Sequence, residues 1–250
     1  MDDFPRSEVR ILPGEGDSGS VPCTIYPPSP GASRKPALIL HLYGSGGSHT
    51  AFNLMRSPFA RLRRLLWERG CWVAVPELGR SHWMSEKACR TLDSTIAAMI
   101  DQEKIDPVRV HILGTSMGAG SGLAYIARRP GVIRSMCAFF PMTDWVQWVR
   151  EQPGRLKRIA EAHGVAPEDA EPALRAISPM SNLDAYVNLP LLVIHGQPDK
   201  VVPVHHSRDF VAALQSRGAN VIYRESPDFG HDNALAEGHQ EEIADFLTPK

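Results

Sequence analysis

The residue types that can activate a hydroxyl group for attack on a carbonyl carbon occur in the order serine, aspartate, histidine along this chain. The serine is Ser116, in the run Gly114-Thr115-Ser116-Met117-Gly118. This G-x-S-x-G pattern follows the apolar run 108–113 and precedes the helix-forming run 119–129. A strand, a tight turn and a helix with serine at the apex of the turn form a nucleophile elbow. The two glycines fit it because a Cβ at either position would collide with the neighbouring strand or helix. We therefore predict that Ser116 is a nucleophile.

A nucleotide-binding turn is the alternative interpretation of the same stretch, because three glycines follow the strand at positions 118, 120 and 122. A dinucleotide fingerprint would need G-x-G-x-x-G at the turn itself and an acid about twenty residues later. Here the glycines fall inside the predicted helix, and residues 135–140 contain no acid. The Lys-Ser/Thr pair of a phosphate-binding loop is also missing. The nucleophile is the better interpretation if a base, an acid and an oxyanion hole exist elsewhere.

A serine hydroxyl needs an imidazole to take its proton, and the imidazole needs a carboxylate to orient it. In an open parallel sheet such groups gather at the carboxyl ends of the strands. Asp199 and His231 lie in the loops after the last two predicted strands, which gives the order Ser116, Asp199, His231 expected after an elbow. Asp199 is favoured as the acid because its turn lies between two prolines. His231 is favoured as the base because a glycine precedes it and it follows the acid.

Other acids and histidines compete for these two roles. Asp144 also follows a predicted strand, and Asp228 and Asp232 flank His231. Histidines within or at the ends of strands are predicted to belong to the core, namely His41, His111 and His195. Those predicted in loops or on the surface are His49, His163, His205, His206 and His239.

The oxyanion hole requires two backbone N–H groups aimed at the developing alkoxide. The first predicted donor is Met117, directly after the nucleophile. The second comes from the glycine-rich run 44–47 after the third predicted strand, where small residues let the backbone approach a substrate. We favour the N–H of Ser45, with that of Gly44 as the second choice.

Alternating β and α segments predict a mostly parallel sheet with helices on both faces. The predicted strands are 9–12, 21–26, 37–43, 71–76, 108–113, 132–140, 189–195 and 220–225. The predicted helices are 57–70, 85–104, 119–129, 205–217 and 233–247, the first of them capped by Ser57 ahead of a proline. Residues 145–188 contain no convincing strand and are broken by prolines, so we predict a small helical insertion after the sixth strand. We expect residues 1–250 to form one domain that includes this insertion.

Composition narrows the function classes. The net charge is −1 with both signs mixed along the chain, which favours neither a nucleic acid nor a membrane as partner. The four cysteines show no paired spacing, and no His/Cys/Asp cluster has zinc-like spacing, so we expect free thiols, no metal and no cofactor. The N-terminus has no apolar signal region, and no stretch reaches eighteen apolar residues, so we expect a cytoplasmic protein. The oligomeric state stays open, with a homo-oligomer among the alternatives.

The elbow, the segment 195–203 and the pair Gly230-His231 resemble those of the α/β-hydrolase superfamily, along essentially the whole chain. Within it the chain looks like the compact esterases and peptidase-type hydrolases related to dienelactone hydrolase and to the catalytic domain of prolyl oligopeptidases, without their propeller. Segments 79–84 and 178–179 are similar to those of microbial single-domain members.

The resemblance implies an α/β-hydrolase fold with Ser116 as nucleophile, Asp199 as acid and His231 as base. It also implies Ser45 and Met117 as oxyanion donors. One departure is Tyr43 before the oxyanion glycine, where many members have histidine.

The predicted activity is hydrolysis of a carboxylic ester of a small molecule through an acyl-enzyme intermediate. A serine peptidase of the oligopeptidase or aminopeptidase type is the alternative within hydrolases. A non-catalytic binding protein on the same scaffold is disfavoured because all three residues of the triad are present.

Large apolar residues on loops at the catalytic edge predict an apolar substrate wall. These residues are Phe52, Trp83, Met142, Trp145 and Trp148. The alternative is that the tryptophans only anchor the insertion to the core. Arg80 and Arg150, on the same loops, could meet a substrate carboxylate, or they could simply be solvated.

Overall fold

The computed structural model describes residues 6–14, 19–31, 36–53 and 58–248, and within them one sheet of eight strands carries the fold. The strands are β1 (Glu8–Pro13), β2 (Ser20–Tyr26), β3 (Ala37–Leu42), β4 (Cys71–Pro76), β5 (Val110–Thr115), β6 (Ser135–Phe139), β7 (Leu191–Gly196) and β8 (Val221–Ser226). Their spatial order is β1-β2-β4-β3-β5-β6-β7-β8. The predicted mostly parallel eight-stranded sheet is confirmed.

Strand direction explains where the site forms. β1 and β2 pair antiparallel, as do β2 and β4, whereas every neighbouring pair from β4 to β8 is parallel. The carboxyl ends of β3 to β8 therefore meet at one edge. β5 lies in the middle, with Gly114 opposite Leu42 of β3 and Thr115 opposite Phe139 of β6. The loops after β3, β5, β7 and β8 thus open onto the same edge.

The described residues contain eight α-helices: α1 (Ala60–Glu68), α2 (Glu86–Glu103), α3 (Met117–Arg128), α4 (Trp145–Glu151), α5 (Leu156–His163), α6 (Ala170–Ile177), α7 (His205–Gln215) and α8 (Gln240–Leu247). Side chains on β6 alternate between two helical layers. Met136 contacts α3 at Gly122, whereas the ring of Phe139 meets that of Phe59, beside α1, at 5.9 Å. The helices therefore cover both faces, as predicted.

The insertion between β6 and β7 is helical, as predicted. It consists of α4, α5, α6 and short 3-10 segments at Pro153–Arg155, Pro167–Asp169, Pro179–Ser181 and Leu183–Tyr186. Prolines begin three of these four segments, because proline fits the first turn of a helix but cannot continue one.

Several predicted boundaries are corrected. β5 begins two residues later than predicted because Val108 lies in an exposed turn, with 68% of its surface accessible. β6 is shorter than the predicted 132–140, since residues 129–132 form a turn. The predicted last helix is two pieces, a 3-10 segment Asn233–Gly238 and then α8. The predicted capping residue Ser57 lies outside the described residues.

No helix in the described part of the chain is long and apolar enough to span a membrane. The four cysteines are buried free thiols.

Candidate active site

The elbow is built by close backbone contacts that only glycine permits. Ser116 has φ 54° and ψ −120°, a strained conformation for a residue with a side chain. A Cβ at Gly118 would lie 2.0 Å from the carbonyl oxygen of Leu42, and one at Gly114 would lie 2.8 Å from that of Gly118. The turn is fixed further by the Ser116 N–H, which donates to the carbonyl of Phe139 at 3.0 Å. The strain holds the Ser116 hydroxyl at the carboxyl end of β5.

Ser116, His231 and Asp199 form a continuous hydrogen-bonded chain. The Ser116 Oγ lies 2.8 Å from His231 Nε2, and His231 Nδ1 lies 2.7 Å from Asp199 Oδ2. A carboxylate can only accept, so Nδ1 carries the proton and Nε2 is free to accept from the serine. This tautomer is the one a general base needs.

The loop that carries His231 reaches the elbow because β7 ends in glycine. A Cβ at Gly196 would lie 1.9 Å from the carbonyl oxygen of Phe229 and 2.6 Å from that of Gly230. The ring of Phe140, another residue with positive φ (39°), packs against the imidazole of His231 with centroids 4.3 Å apart. His231 is therefore fixed in orientation by the carboxylate on one nitrogen and an aromatic ring on its face.

Asp199 is buried and fully engaged as an acceptor. Its Oδ1 accepts from the backbone N–H groups of Val201 and Val202 at 2.8 and 2.9 Å. Burial raises the pKa of a carboxyl group, but the hydrogen bonds and charge of the neighbouring histidines outweigh it, so the pKa of Asp199 lies well below its usual range. Asp199 is therefore a carboxylate at neutral pH.

His195 supports Asp199 from behind, a role that the sequence did not indicate. It is fully buried, and its Nδ1 lies 2.7 Å from Ser207 Oγ. Its Nε2 lies 2.9 Å from the carbonyl of Val202 and 3.3 Å from Asp199 Oδ2. The contact with the Val202 carbonyl is the shorter of the two, so this carbonyl is the main hydrogen-bond acceptor for His195 Nε2. The contact with the Asp199 carboxylate is the weaker one. His195 is buried, as predicted for a core histidine. Its ring also stabilises the turn that carries Asp199.

The competing residues lie in other roles. Asp144 caps α4 by accepting from the N–H of Gln147 at 3.0 Å, and Asp232 accepts from that of Ala234 at 2.9 Å. Asp228 is exposed. His206, predicted on the surface, is in fact buried, because its ring is covered where α7 begins and bonds to Glu151.

The predicted oxyanion donors lie around Ser116. A Cβ at Gly44 would lie 3.5 Å from the Cβ of Ser116, so the loop after β3 passes directly beside the nucleophile. Gly44, Ser45 and Ser116 line the same cavity. Within the described residues the N–H groups of Ser45 and Met117 have no hydrogen-bond acceptor. Two donors beside the nucleophile are thus free to bind an oxyanion.

Tyr43, the departure from the family pattern, braces this loop. Its hydroxyl donates to Glu77 Oε1 at 3.0 Å and accepts from the N–H of Leu78 at 2.8 Å. The other oxygen of Glu77 accepts from the N–H of His49 at 3.0 Å. Burial and the neighbouring Glu77 carboxylate raise the pKa of Tyr43, which keeps its hydroxyl protonated as a donor. The loops after β3 and β4 are joined through this pair of side chains.

A cavity of about 680 Å³ opens above Ser116 and is the candidate substrate site. Its lining residues are Gly44, Ser45, Gly46, Arg80, Ser81, Trp83, Thr115, Ser116, Phe140, Trp148, Arg155, Arg158, Val201, His231, Asp232 and Asn233. Of the predicted substrate wall, Trp83 and Trp148 belong to this lining.

The other three residues of the predicted wall do not line the cavity. Phe52 packs between Tyr26 and His41, with centroids 5.6 and 4.7 Å away. Met142 packs against α3, where its sulfur would lie 2.2 Å from a Cβ at Gly120. Trp145 is fully buried behind Trp83. All three side chains are buried and serve packing instead.

The arginines at the cavity differ from those the sequence suggested. Arg80 lines it, but Arg150 pairs with Glu171 at 3.0 Å outside the lining. Arg155 and Arg158, which carry no local sequence signal, line the cavity from the insertion.

One group of side chains could hold a metal ion despite the absence of a local sequence pattern. Glu151, His205 and His206 bring their ligand atoms within 4.8 Å of one another. Both imidazoles also bond to the carboxylate of Glu151, at 3.0 and 3.1 Å, which accounts for the cluster without an ion. The group lies outside the cavity lining.

Residues 91–248, more than half of the chain, match the sequence pattern of the prolyl oligopeptidase family. The chain belongs to the prolyl oligopeptidase family. No curated protein sequence matches it significantly. The resemblance inferred from the elbow and the two loops is thereby confirmed.

Solved structures similar to this member of the prolyl oligopeptidase family include both longer and equally long chains. A puromycin-hydrolysing peptidase of Mycobacterium tuberculosis superposes with a TM-score of 0.79 at 19% identity, over 97% of this chain and 40% of that one. An acylaminoacyl peptidase of Pyrococcus horikoshii gives 0.78 at 12% identity, over 99% and 42%. An S-formylglutathione hydrolase of Agrobacterium tumefaciens gives 0.75 at 16% identity, over 99% and 96%.

These likenesses establish the α/β-hydrolase fold. The chain spans about two fifths of the length of the two peptidases it resembles. Both its family and its fold are those of serine hydrolases of the α/β type.

Proposed function

We propose that this protein hydrolyses carboxylic esters of small molecules through an acyl-enzyme on Ser116, with His231 as base and Asp199 as its orienting acid. The observation that carries the proposal is the hydrogen-bonded chain from Ser116 Oγ to Asp199, whose serine end opens into a cavity of about 680 Å³. A cavity of this size suits a small molecule.

In the first half-reaction the Ser116 oxygen attacks the ester carbonyl while His231 Nε2 takes the hydroxyl proton. The negative charge that develops on the carbonyl oxygen is stabilised by the free N–H groups of Ser45 and Met117. Asp199 stabilises the imidazolium that forms. The intermediate then collapses, His231 gives its proton to the departing alkoxide, and the alcohol leaves an acyl group on Ser116.

In the second half-reaction a water molecule replaces the alcohol. His231 takes a proton from the water as it attacks the acyl carbon, and the same N–H groups stabilise the second tetrahedral intermediate. Collapse returns the proton to Ser116, releases the carboxylic acid and restores the enzyme.

A serine peptidase acting on short peptides is the second candidate, and the peptidases among the similar structures favour it. The same groups serve amide cleavage, in which His231 must protonate the departing amine. Support for the ester comes from the S-formylglutathione hydrolase, the similar structure whose length this chain matches.

The test compares p-nitrophenyl esters of graded acyl length with aminoacyl p-nitroanilides, using the wild-type protein and Ser116→Ala. The proposal expects kcat/KM for the best ester to exceed that for the best anilide by orders of magnitude, with both lost in Ser116→Ala. Preferential cleavage of the anilides would establish the peptidase instead.

The proposed location is the cytoplasm. Cys23, Cys71, Cys89 and Cys137 are free thiols, a state that fits a reducing compartment.

A further inference from the structure

We propose that the cavity selects substrates that carry a carboxylate in addition to the scissile ester, and that Arg155 and Arg158 bind this carboxylate with help from Arg80. The inference rests on the proposed function, since the bound molecule is the ester that Ser116 attacks. All three arginines and Ser116 line the same cavity.

The other two arginines of the insertion form ion pairs with a nearby carboxylate. Arg150 and Arg175 both pair with Glu171, at 3.0 and 2.7 Å. Arg155 and Arg158 have no carboxylate within 4.0 Å among the described residues, and Glu161, one turn along α5, pairs with Lys157 instead. The insertion therefore neutralises its outward arginines and leaves unpaired the two that line the cavity.

Arg80 adds a third positive charge on the opposite rim, beside the oxyanion loop. Its Nε donates to the carbonyl of Gly46 at 3.1 Å, and the N–H of Gly46 donates back to the carbonyl of Arg80 at 2.8 Å. This reciprocal pair fixes the start of the side chain. The two terminal nitrogens have no acceptor in the described part of the chain and are free for a ligand.

The insertion and the loop after β4 are in direct contact, so the arginines that they carry have defined relative positions. The ring of His163, at the end of α5, donates from Nε2 to the carbonyl of Trp83 at 3.0 Å. Trp83 lies three residues after Arg80, and its ring contacts that of Trp148, at 5.8 Å between centroids. The helix that carries Arg158 is thus fastened to the loop that carries Arg80.

The charge balance of the cavity favours an anion. Against three arginines the lining offers one acid at its mouth, Asp232, whose carboxylate already accepts from the N–H of Ala234 at 2.9 Å. Three like charges around one cavity repel one another, and an anionic ligand turns that repulsion into attraction. The planar guanidinium matches a carboxylate in two parallel hydrogen bonds. The apolar walls formed by Trp83, Trp148 and Phe140 lower the local dielectric constant and strengthen those bonds.

The test uses two esters of one length, mono-p-nitrophenyl glutarate, which is anionic, and its neutral methyl ester. The variants are Arg155→Gln/Arg158→Gln and, as the matched control on the same insertion, Arg150→Gln. We expect the wild-type protein to prefer the anionic ester, and the double variant to lose about 10- to 100-fold in this preference, mainly through KM. The double variant should lose less on the neutral ester than on the anionic one, and Arg150→Gln, which lies outside the cavity lining, should match the wild-type protein on both esters. The preference should also shrink as sodium chloride is added.

Equal kcat/KM for both esters in the wild type, or an equal loss on both in the double variant, would overturn the inference while leaving ester hydrolysis intact. If the wild type cleaves no ester, the proposed function fails instead, and calorimetric titration with glutarate still decides the anion site. Glutarate binding by the wild type that the double variant loses and Arg150→Gln retains would support the site. Equal binding, or none, would refute it.

Discussion

The cavity has two walls that are held in different ways. The catalytic wall, formed by the loops after β5, β7 and β8, depends on close backbone packing at Gly118 and Gly196, where an added Cβ would lie 2.0 and 1.9 Å from a carbonyl oxygen. The insertion wall depends on packed rings, with Trp83 5.9 Å from Trp145 and 5.8 Å from Trp148. It contacts the catalytic wall through the indole Nε1–H of Trp148, which donates to the carbonyl of Val201 at 2.9 Å.

The difference between the two walls separates the residues proposed for catalysis from those proposed for substrate selection. The backbone wall allows no adjustment, because a displaced carbonyl oxygen would move Ser116 or His231 relative to its partner. The ring-packed wall presents Arg155 and Arg158 from a segment that contains none of the three residues Ser116, Asp199 and His231. We therefore expect substitutions on the catalytic wall to affect every substrate and those on the insertion wall to affect some.

Asp199→Asn should have the largest effect on activity. The amide would favour the wrong imidazole tautomer and could not stabilise the imidazolium, so kcat should fall by about 10⁴-fold while KM changes little. Asp144→Asn is the matched control, because asparagine also caps a helix and should keep α4 intact with activity near normal. If Asp144→Asn proves the more damaging, the acid has been assigned to the wrong loop.

Gly118→Ala, on the catalytic wall, should destabilise the protein far more than Gly154→Ala, in the insertion. The new Cβ would meet the Leu42 carbonyl oxygen at 2.0 Å, so we expect a loss of at least about 3 kcal/mol in the free energy of unfolding. Gly154→Ala, in the insertion, meets open space and should be neutral or stabilise by up to about 1 kcal/mol. Urea denaturation measures both. Similar losses for the two variants would contradict the contrast.

Tyr43→Phe should test the brace behind the oxyanion loop. It leaves the N–H of Leu78 without its acceptor and removes one donor to Glu77 Oε1, which still accepts from the N–H of Gly79 at 3.0 Å. The loss should cost about 1–2 kcal/mol and lower kcat/KM roughly tenfold for all esters. Tyr223→Phe removes a similar bond to Glu225, of 2.7 Å, away from the cavity. That control should keep full activity; a comparable loss in both would assign the effect to general destabilisation.

The last comparison concerns acid stability, away from the catalytic groups. Burial lowers the pKa of His41 to about 3, so below pH about 6.5 the unfolded chain takes up a proton that the folded chain refuses. His41 therefore makes stability fall with falling pH, by about 1.4 kcal/mol per pH unit between those values. In His41→Leu this contribution to the pH dependence of the free energy of unfolding should vanish. The difference in that free energy between wild type and variant at pH 8, where the imidazole is neutral in both states, reports packing alone. Parallel stability curves from pH 8 to 4 would show that His41 is protonated in the fold.

The convergence of Ser116, Asp199 and His231 with the loop at Gly44 and Ser45 was predictable, because each segment carries a short-range signature. Gly114, Gly118 and Gly196 stand where a Cβ would meet a backbone oxygen, so the pattern in the sequence reflects a steric requirement. The mostly parallel sheet with helices on both faces followed from the alternation of strands and helices. Strand ends such as Val108 were misplaced because an apolar residue in an exposed turn looks the same as one in a strand.

The insertion wall could not be predicted in the same way. Arg155 and Arg158 reach the cavity only because a ring cluster folds the insertion back over it, and no local pattern encodes that contact. The buried brace at His195 and the pair Tyr43–Glu77 likewise join residues from different loops. Such long-range contacts decide which arginine is free and which is paired, as Arg150 illustrates.

Fluorophosphonate labelling followed by intact-mass measurement and peptide mapping tests the central claim most directly. A nucleophile activated by the His231–Asp199 pair should react in a one-to-one ratio, with the added mass on the peptide that contains Ser116 and ester hydrolysis lost in parallel. Folded Ser116→Ala protein should take up no label and lose about 10⁴-fold or more in turnover. A label on another residue, or near-normal ester hydrolysis by folded Ser116→Ala, would contradict the account.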